Sequence, residues 1–204
     1  MTEKQRKNLQ STLDESSSID GLKRMGWIEK LRKHYCIASV GNSTLMHQSG
    51  QGRNNAAQQF LLDEFPLIGL AMLDEQKFHA LLDTRTSLLA DRLPTPNSNV
   101  PNWGAARKVI NIYLRLCAMN KDIHQHCTLG NIESYFEVPL DNHIVARIDY
   151  YAKTKYKKQF KIKNLTKEVS DGIQETASGL ATSFNLNRYE LDILFWNHKK
   201  FGDI

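Results

Sequence analysis

The chain has 204 residues, 41% of them hydrophobic and 24% charged, with a formal net charge of +5. That is enough apolar material for a packed core in one domain or two tightly joined ones. Three cysteines, odd in number and irregularly spaced, exclude a complete disulfide framework and point to a reducing compartment. The opening stretch MTEKQRKNLQSTLDESSS is polar and mixed in charge, without the apolar run of a signal peptide or a membrane span. A flexible polar tail over residues 1–18 and a cytoplasmic, nucleoid-associated monomer with no membrane attachment are expected.

In chain order, apolar residues recur at three- and four-residue spacings and seldom alternate, which predicts an all-α fold. Asp20 is placed to cap a helix carrying Leu22, Met25, Ile28, Leu31 and Tyr35 on one face. Asn54 or Asn55 can cap AAQQFLLDEF, and Asp74 can cap EQKFHALLDTRTSLLADRL. PTPNSNVP breaks the pattern as a loop, and Asn102 then starts a helix running to about Met119. Shorter helices are expected from Asp122 to Cys127 and from Asn131 to Phe136. Asp141 opens the next, with Ile144, Val145, Ile148 and Ala152 on one face. Val169, Ile173, Ala177, Leu180 and Phe184 then share a face, and Asn187 with Glu190 forms a capping pair before LDILFW. Cys36, Cys117 and Cys127 read as small buried apolar side chains.

Charge is spread unevenly. Between residues 142 and 163, Arg147, Lys153, Lys155, Lys157, Lys158, Lys161 and Lys163 face one acid, Asp149, a local balance of +6. Tyr150, Tyr151, Tyr156 and Phe160 interleave with these cations. Such a segment suits phosphate contacts with sugar or base packing between them, and equally a solvated loop whose aromatic rings cover core.

At about 100° per residue, Gly104, Lys108, Asn111 and Arg115 fall on one side of the helix from Asn102. Trp103, Ala106, Ile110, Tyr113 and Cys117 lie largely on the other. A lone lysine on a polar face is ordinarily a solvated side chain. Lys108 differs in its company: Gly104 one turn earlier permits close backbone approach, the helix N-terminus is positive, and Asp141 follows 33 residues on. Asp141 by itself is an ordinary N-cap.

The order in PLDNHIVARI, residues 139–148, is proline, apolar residue, aspartate, small polar residue, histidine, branched aliphatic and a nearby arginine. It resembles the Pro-Val-Asp-Thr-His-Val-x-Arg segment of helix-hairpin-helix DNA glycosylases. In that superfamily the aspartate begins a helix and faces the sugar whose glycosidic bond is cut, and a lysine lies upstream. GAARKVINIY, with Lys108, is the matching stretch here. The separation of the two residues is most like the archaeal 8-oxoguanine glycosylase branch. The resemblance spans about Asn102 to Ala152 and, more loosely, the helical layout of the chain. It departs from the superfamily in lacking a Gly-x-Gly hairpin before Lys108 and in carrying NKDIHQHCTLGNIESYFE between the two residues.

The resemblance implies a compact helical bundle with its active site between helical subdomains, forming one glycosylase-like domain over residues 19–204 or two interleaved subdomains. The partner would be double-stranded DNA containing a modified base. That base leaves the stack, Asp141 stabilises charge developing on the sugar, and the neutral amine of Lys108 attacks C1′ to give a Schiff base and a nicked strand. Gly104 would clear room for the sugar or backbone beside the amine. Arg53, Asn54, Asn55, Gly104, Arg147, Lys153, Lys155, Lys157 and Lys158 are the candidate DNA contacts. Gln51, Trp103, Asn111, His143 and Trp196 are the candidate base-pocket residues. No cofactor is implied, since the four-cysteine iron-sulfur motif of some relatives is absent. HQHC, residues 124–127, lacks a second ligand pair at zinc spacing, so no metal site is expected. The other readings are removal of modified cytosine from phage DNA, a noncatalytic DNA-binding protein, and a helical interaction module.

Overall fold

The computed structural model describes residues 21–41, 44–45, 52–95 and 100–201, with side chains described over 25–41, 44–45, 52–95 and 100–196. The tail over residues 1–18, the cap assigned to Asp20 and the pocket role of Gln51 lie outside the described residues. Within them the regular elements are helices: α1 Gly21–Ser39, α2 Arg53–Asp63, α3 Glu75–Asp91, α4 Trp103–Met119, α5 Lys121–His126, α6 Asn142–Ala152, α7 Lys167–Ser183 and α8 Leu191–Phe201. The all-α expectation holds. Extended pairing among the described residues is confined to the bridge Pro94–Pro101, which closes the loop before α4. No helix among the described residues is long and apolar enough to cross a membrane.

Most helix starts follow from a side-chain oxygen set ahead of an apolar run, where it satisfies an N–H group that has no partner inside the helix. Asp74 accepts from the Lys77 N–H at 2.8 Å, Asn102 from Ala105 at 3.1 Å and Asn120 from Ile123 at 3.0 Å. Asn187 and Glu190 form the expected capping box, which leads through a 3-10 turn into α8. Helix α2 departs from expectation: it begins at Arg53 behind Gly52, whose φ of 86° is left-handed, so Asn54 and Asn55 sit inside the first turn and do not cap it. The helix expected from Asn131 to Phe136 is replaced by two 3-10 turns, Leu129–Asn131 and Glu133–Tyr135. Segments this short take the tighter i to i+3 bonding, which here buries Leu129, Ile132 and Phe136.

Burial divides the apolar residues into two cores. Phe60, Phe78, Leu89, Tyr113 and Phe136 belong to the first, among α1 to α5; Ile144, Ile148, Ile173 and Phe195 belong to the second, among α6 to α8. Trp103 packs against both. Eleven of the 17 residues of α4 are buried, including Gly104 and Asn111 from the side expected to be polar. Full burial of side chains such as Val109, Ile110 and Leu114 contributes about 1.5–3 kcal/mol each, so α4 is the axis on which the rest is assembled. Cys36, Cys117 and Cys127 are buried and unbridged, and burial pushes the Cys36 thiol up to about 11. The apolar stripe of α7 is rotated from expectation: Val169 and Phe184 are exposed, while Ser170, Ile173, Gln174, Ala177 and Ala181 face inward.

That rotation has a structural role, because it turns Gln174 toward an extended segment that needs backbone partners. The Gln174 amide accepts the Val138 N–H at 3.1 Å and donates to the Val138 carbonyl at 2.8 Å. Just upstream, Arg188 donates to the carbonyls of Tyr135 and Phe136 at 2.9 and 3.1 Å. Between them Glu137 is buried and accepts two hydrogen bonds from Arg107, both at 2.8 Å, and one from Asn111 at 2.9 Å. Arg107 also reaches Thr86 at 3.0 Å and Asp83 at 2.9 Å, which ties α3 to the same network. The segment from Tyr135 to Val138 is therefore held by α4, α7 and the turn before α8.

Burial would raise the Glu137 carboxyl, but the Arg107 charge and hydrogen bonds, with that of Asn111, outweigh it and hold the group below its usual 4.5. A carboxyl depressed in the folded state stabilises the fold above its unfolded value, and that contribution disappears as pH falls through the folded value. Glu137→Gln should destabilise the protein at neutral pH by about 3–5 kcal/mol in urea unfolding, because it leaves Arg107 without its main charge partner. The wild type should also lose stability more steeply than the variant below about pH 4.5. Parallel acid profiles would assign the acid sensitivity to other carboxylates.

Candidate active site

The two oxygens of Asp141 do different work. Oδ1 accepts the N–H groups of His143 and Ile144 at 2.8 and 2.9 Å, which caps α6. Oδ2 faces the Lys108 Nζ at 3.5 Å. The side chains are 14% and 22% exposed, so the pair is shielded from bulk water more than a surface ion pair is. Lys108 is the sixth residue of α4, past the first turn where a helix N-terminus exerts most of its potential. The charge that faces its amine is Asp141.

The pair lies in the wall of a pocket of about 510 Å³, within the ~300–1,000 Å³ range of small-molecule sites. Helix α4 contributes Lys108, Ile112, Arg115 and Met119, a stripe at three- and four-residue spacing. From α8 come Asp192 and Trp196, one turn apart. Arg115 and Asp192 form an ion pair in this wall, with Asp192 buried. Burial pulls the Arg115 guanidinium below its usual value, and its Nε is buried without a hydrogen-bond partner among the described residues. Trp196 is 55% exposed, presenting an aromatic surface beside polar groups. His143 packs against it with ring centroids 4.7 Å apart and hydrogen-bonds through Nε2 to the Phe195 carbonyl at 3.1 Å. His143 thus braces Trp196 and does not itself line the pocket.

Other expected site residues are placed elsewhere. Asn111 is buried on Glu137, away from the pocket lining. Trp103 sits between the two cores under the Arg107 guanidinium, 5.2 Å from its ring centroid. Gly104 is not an open gap: a Cβ there would collide with the Ile162 carbonyl oxygen and lie 2.8 Å from the Leu165 Cβ. The space beside the helix is filled by the chain's own backbone. Arg53 donates to the Pro94 carbonyl, which fastens α2 to the loop before α4. Asn54 is half-buried and Asn55 exposed, and neither lines the pocket.

The basic segment folds back toward the site. Lys155 and Lys158 are exposed, Arg147 is half-buried, and Lys153 adopts a φ of 57° at the end of α6 with its Nζ 4.9 Å from the Tyr150 ring centroid. Asp149 accepts the N–H groups of Tyr156 and Lys157 at 2.8 and 2.7 Å and the Thr154 hydroxyl at 2.6 Å. Lys157 reaches Asn142, the residue after Asp141. Residues Ile162 and Leu165 then pack on Gly104, one turn before Lys108. The segment therefore passes the N-terminal ends of both helices that carry the pair.

Arg115 shares the expected face with Lys108, but its partner Asp192 is not among the residues the sequence pointed to, nor is Glu137. Asp192 had a signal, since it lies four residues before Trp196 on one helix face. Glu137 had one too, as the lone carboxylate in the run YFEVPL. Set against known proteins, the chain matches no family model, no curated protein and no solved structure. A functional reading rests on the site itself.

Gly104→Ala separates the two roles considered for this glycine. It should lower stability by about 1–3 kcal/mol through overpacking against Ile162 and Leu165, seen as a reduced melting temperature. A variant that melts like the wild type yet loses affinity for duplex DNA would return the glycine to a DNA-facing role.

Proposed function

We propose that the chain is an enzyme acting on DNA, one that cuts a glycosidic bond and forms a Schiff base with the sugar. The particular reading is a helix-hairpin-helix type DNA glycosylase with AP lyase activity, excising a modified base flipped from double-stranded DNA, with 8-oxoguanine the first candidate. One observation carries it: Lys108 and Asp141, far apart in sequence, face each other at 3.5 Å in the wall of a pocket of about 510 Å³. A structural ion pair does not require an adjoining cavity of this size, whereas a flipped base does.

In the proposed reaction the modified base enters the pocket against Trp196, and its C1′ comes to the Lys108 amine. The Lys108 ammonium gives up one proton to solvent before attack, and the carboxylate of Asp141, still ionised, offsets the positive charge that grows on the sugar. The C1′–N bond breaks as the Nζ–C1′ bond forms, and the base leaves with the bonding pair and a proton. Ring opening then gives the protonated Schiff base, and loss of a C2′ proton expels the 3′ phosphate. Arg115 and Asp192 offer donors and an acceptor to the edge of the base, which makes them the candidate specificity groups.

Borohydride should trap the wild type covalently on a productive duplex. Lys108→Gln should fold and bind but not cross-link; equal trapping by this variant would move the nucleophile elsewhere. Asp141→Asn keeps an oxygen for the α6 cap, so its melting temperature should change little, while excision should fall by about two orders of magnitude or more. The duplex panel should include oxidised purines and hydroxymethylated and glucosylated cytosine, scored for abasic sites and strand breaks. Binding without either product on every duplex would leave a noncatalytic DNA-binding protein.

The basic segment supplies general affinity on this reading, since lysines neutralise phosphates without reading base edges. Replacing Lys155, Lys157 and Lys158 with glutamine should weaken binding to modified and unmodified duplexes by similar factors. The slope of log affinity against log salt should become shallower by up to about 0.9 for each phosphate no longer neutralised. An unchanged slope would put the DNA path on another face.

A further inference from the structure

A second pocket, of about 380 Å³, lies between the 3-10 turn Tyr156–Lys158 and the first turn of α7. Its apolar lining comes from Tyr156, Phe160, Leu165 and Val169, and its polar lining includes Lys155 and Lys161, both exposed. No carboxylate is among its described lining residues. The turn is held in place before any ligand arrives: Asp149 fixes the backbone of Tyr156 and Lys157, and the Tyr156 hydroxyl is hydrogen-bonded at the Gly172 carbonyl and Thr176, at 3.2 and 3.1 Å. Val169 is left 49% exposed beside it, apolar surface that the described residues do not cover.

We propose that this pocket seats one unstacked nucleobase of single-stranded DNA, with Lys155 and Lys161 holding the flanking phosphates. Aromatic and apolar surface beneath a cationic rim is the combination that binds single strands without regard to sequence, because every base has a stacking face and every linkage a charge. An acidic peptide would satisfy the lysines but leave the Tyr156 and Val169 surfaces without a matching group. The site is close to the Lys108 pocket, since Leu165 packs on Gly104, one helical turn from Lys108. The inference rests on the DNA reading of that first pocket and adds to it: the protein grips an unpaired nucleotide near the base it removes, and so prefers gapped or locally opened DNA to intact duplex.

The test uses the full chain and an oligothymidylate of about eight nucleotides carrying one 2-aminopurine, followed by its fluorescence. Val169→Trp fills the pocket, Val169→Glu places a carboxylate at its edge, and Lys161→Gln removes a rim charge; all three changes fall on exposed positions. Each variant should bind the oligonucleotide about tenfold more weakly, with loss of the 2-aminopurine signal change. Borohydride trapping at Lys108 on an abasic duplex should persist. Wild-type affinity in both Val169 variants would overturn the proposal even if Lys108 still traps. Tighter binding of polyglutamate than of the oligonucleotide would overturn it as well. Weakened oligonucleotide binding with no trapping by any protein would sink the glycosylase reading and leave this pocket as a single-strand site.

Discussion

The buried pair between Arg107 and Glu137 sets the distance on which the candidate chemistry depends. Arg107 adjoins Lys108 on α4, and Glu137 lies four residues before Asp141, so one bidentate contact positions both members of the site. Taking two charges out of water is costly, and their mutual attraction offsets that cost only when the remaining donors and acceptors are also engaged. Here Asn111, Thr86 and Asp83 engage them. Lys167 on α7 extends the network to Asp83 at 3.4 Å, so the first and second cores are joined by charge as well as by Trp103. An apolar pair of similar volume would fill the same space without fixing the register of the Tyr135–Asp141 segment.

The site inherits that rigidity. Lys108 belongs to a helix buried over most of its surface, and Asp141 follows a segment whose backbone is held by Gln174 and Arg188 and whose Glu137 side chain is held by Arg107. Capping α6 and pairing with Lys108 make compatible demands on Asp141 because each uses a different oxygen. The cap fixes the orientation of the carboxylate, which leaves little freedom to be lost in the proposed reaction. The pocket has walls from both halves, α4 from the first core and α8 with the Asp141 segment from the second. Its volume is therefore set by how the two cores meet and not by any one helix.

Gly104 illustrates how one residue type serves quite different ends. A glycine one turn before a lysine permits close approach, and close approach is what the structure has, but the approaching group is the Ile162 carbonyl. Its effect on the site is indirect. By letting residues 162–165 lie against α4, it carries the lysine-rich segment past the N-termini of α4 and α6, the two helices that hold Lys108 and Asp141.

Local chemistry was legible in the sequence wherever one short stretch determined the outcome. Helix type, the caps at Asp74, Asn102 and Asp141, and the Asn187–Glu190 box follow from side chains bonding to backbone within three residues. The Lys108–Asp141 pairing was legible through a resemblance in two stretches, and spacing alone would not have given it. Whether a polar residue on a helix faces water, a pocket or a buried partner was decided by what packs against it. Asn111 and Arg115 shared one predicted face with Lys108, yet Asn111 turned to Glu137 while Arg115 met Asp192 from α8. Helical periodicity specifies angle about an axis; only the arrival of a second element at that angle specifies the environment.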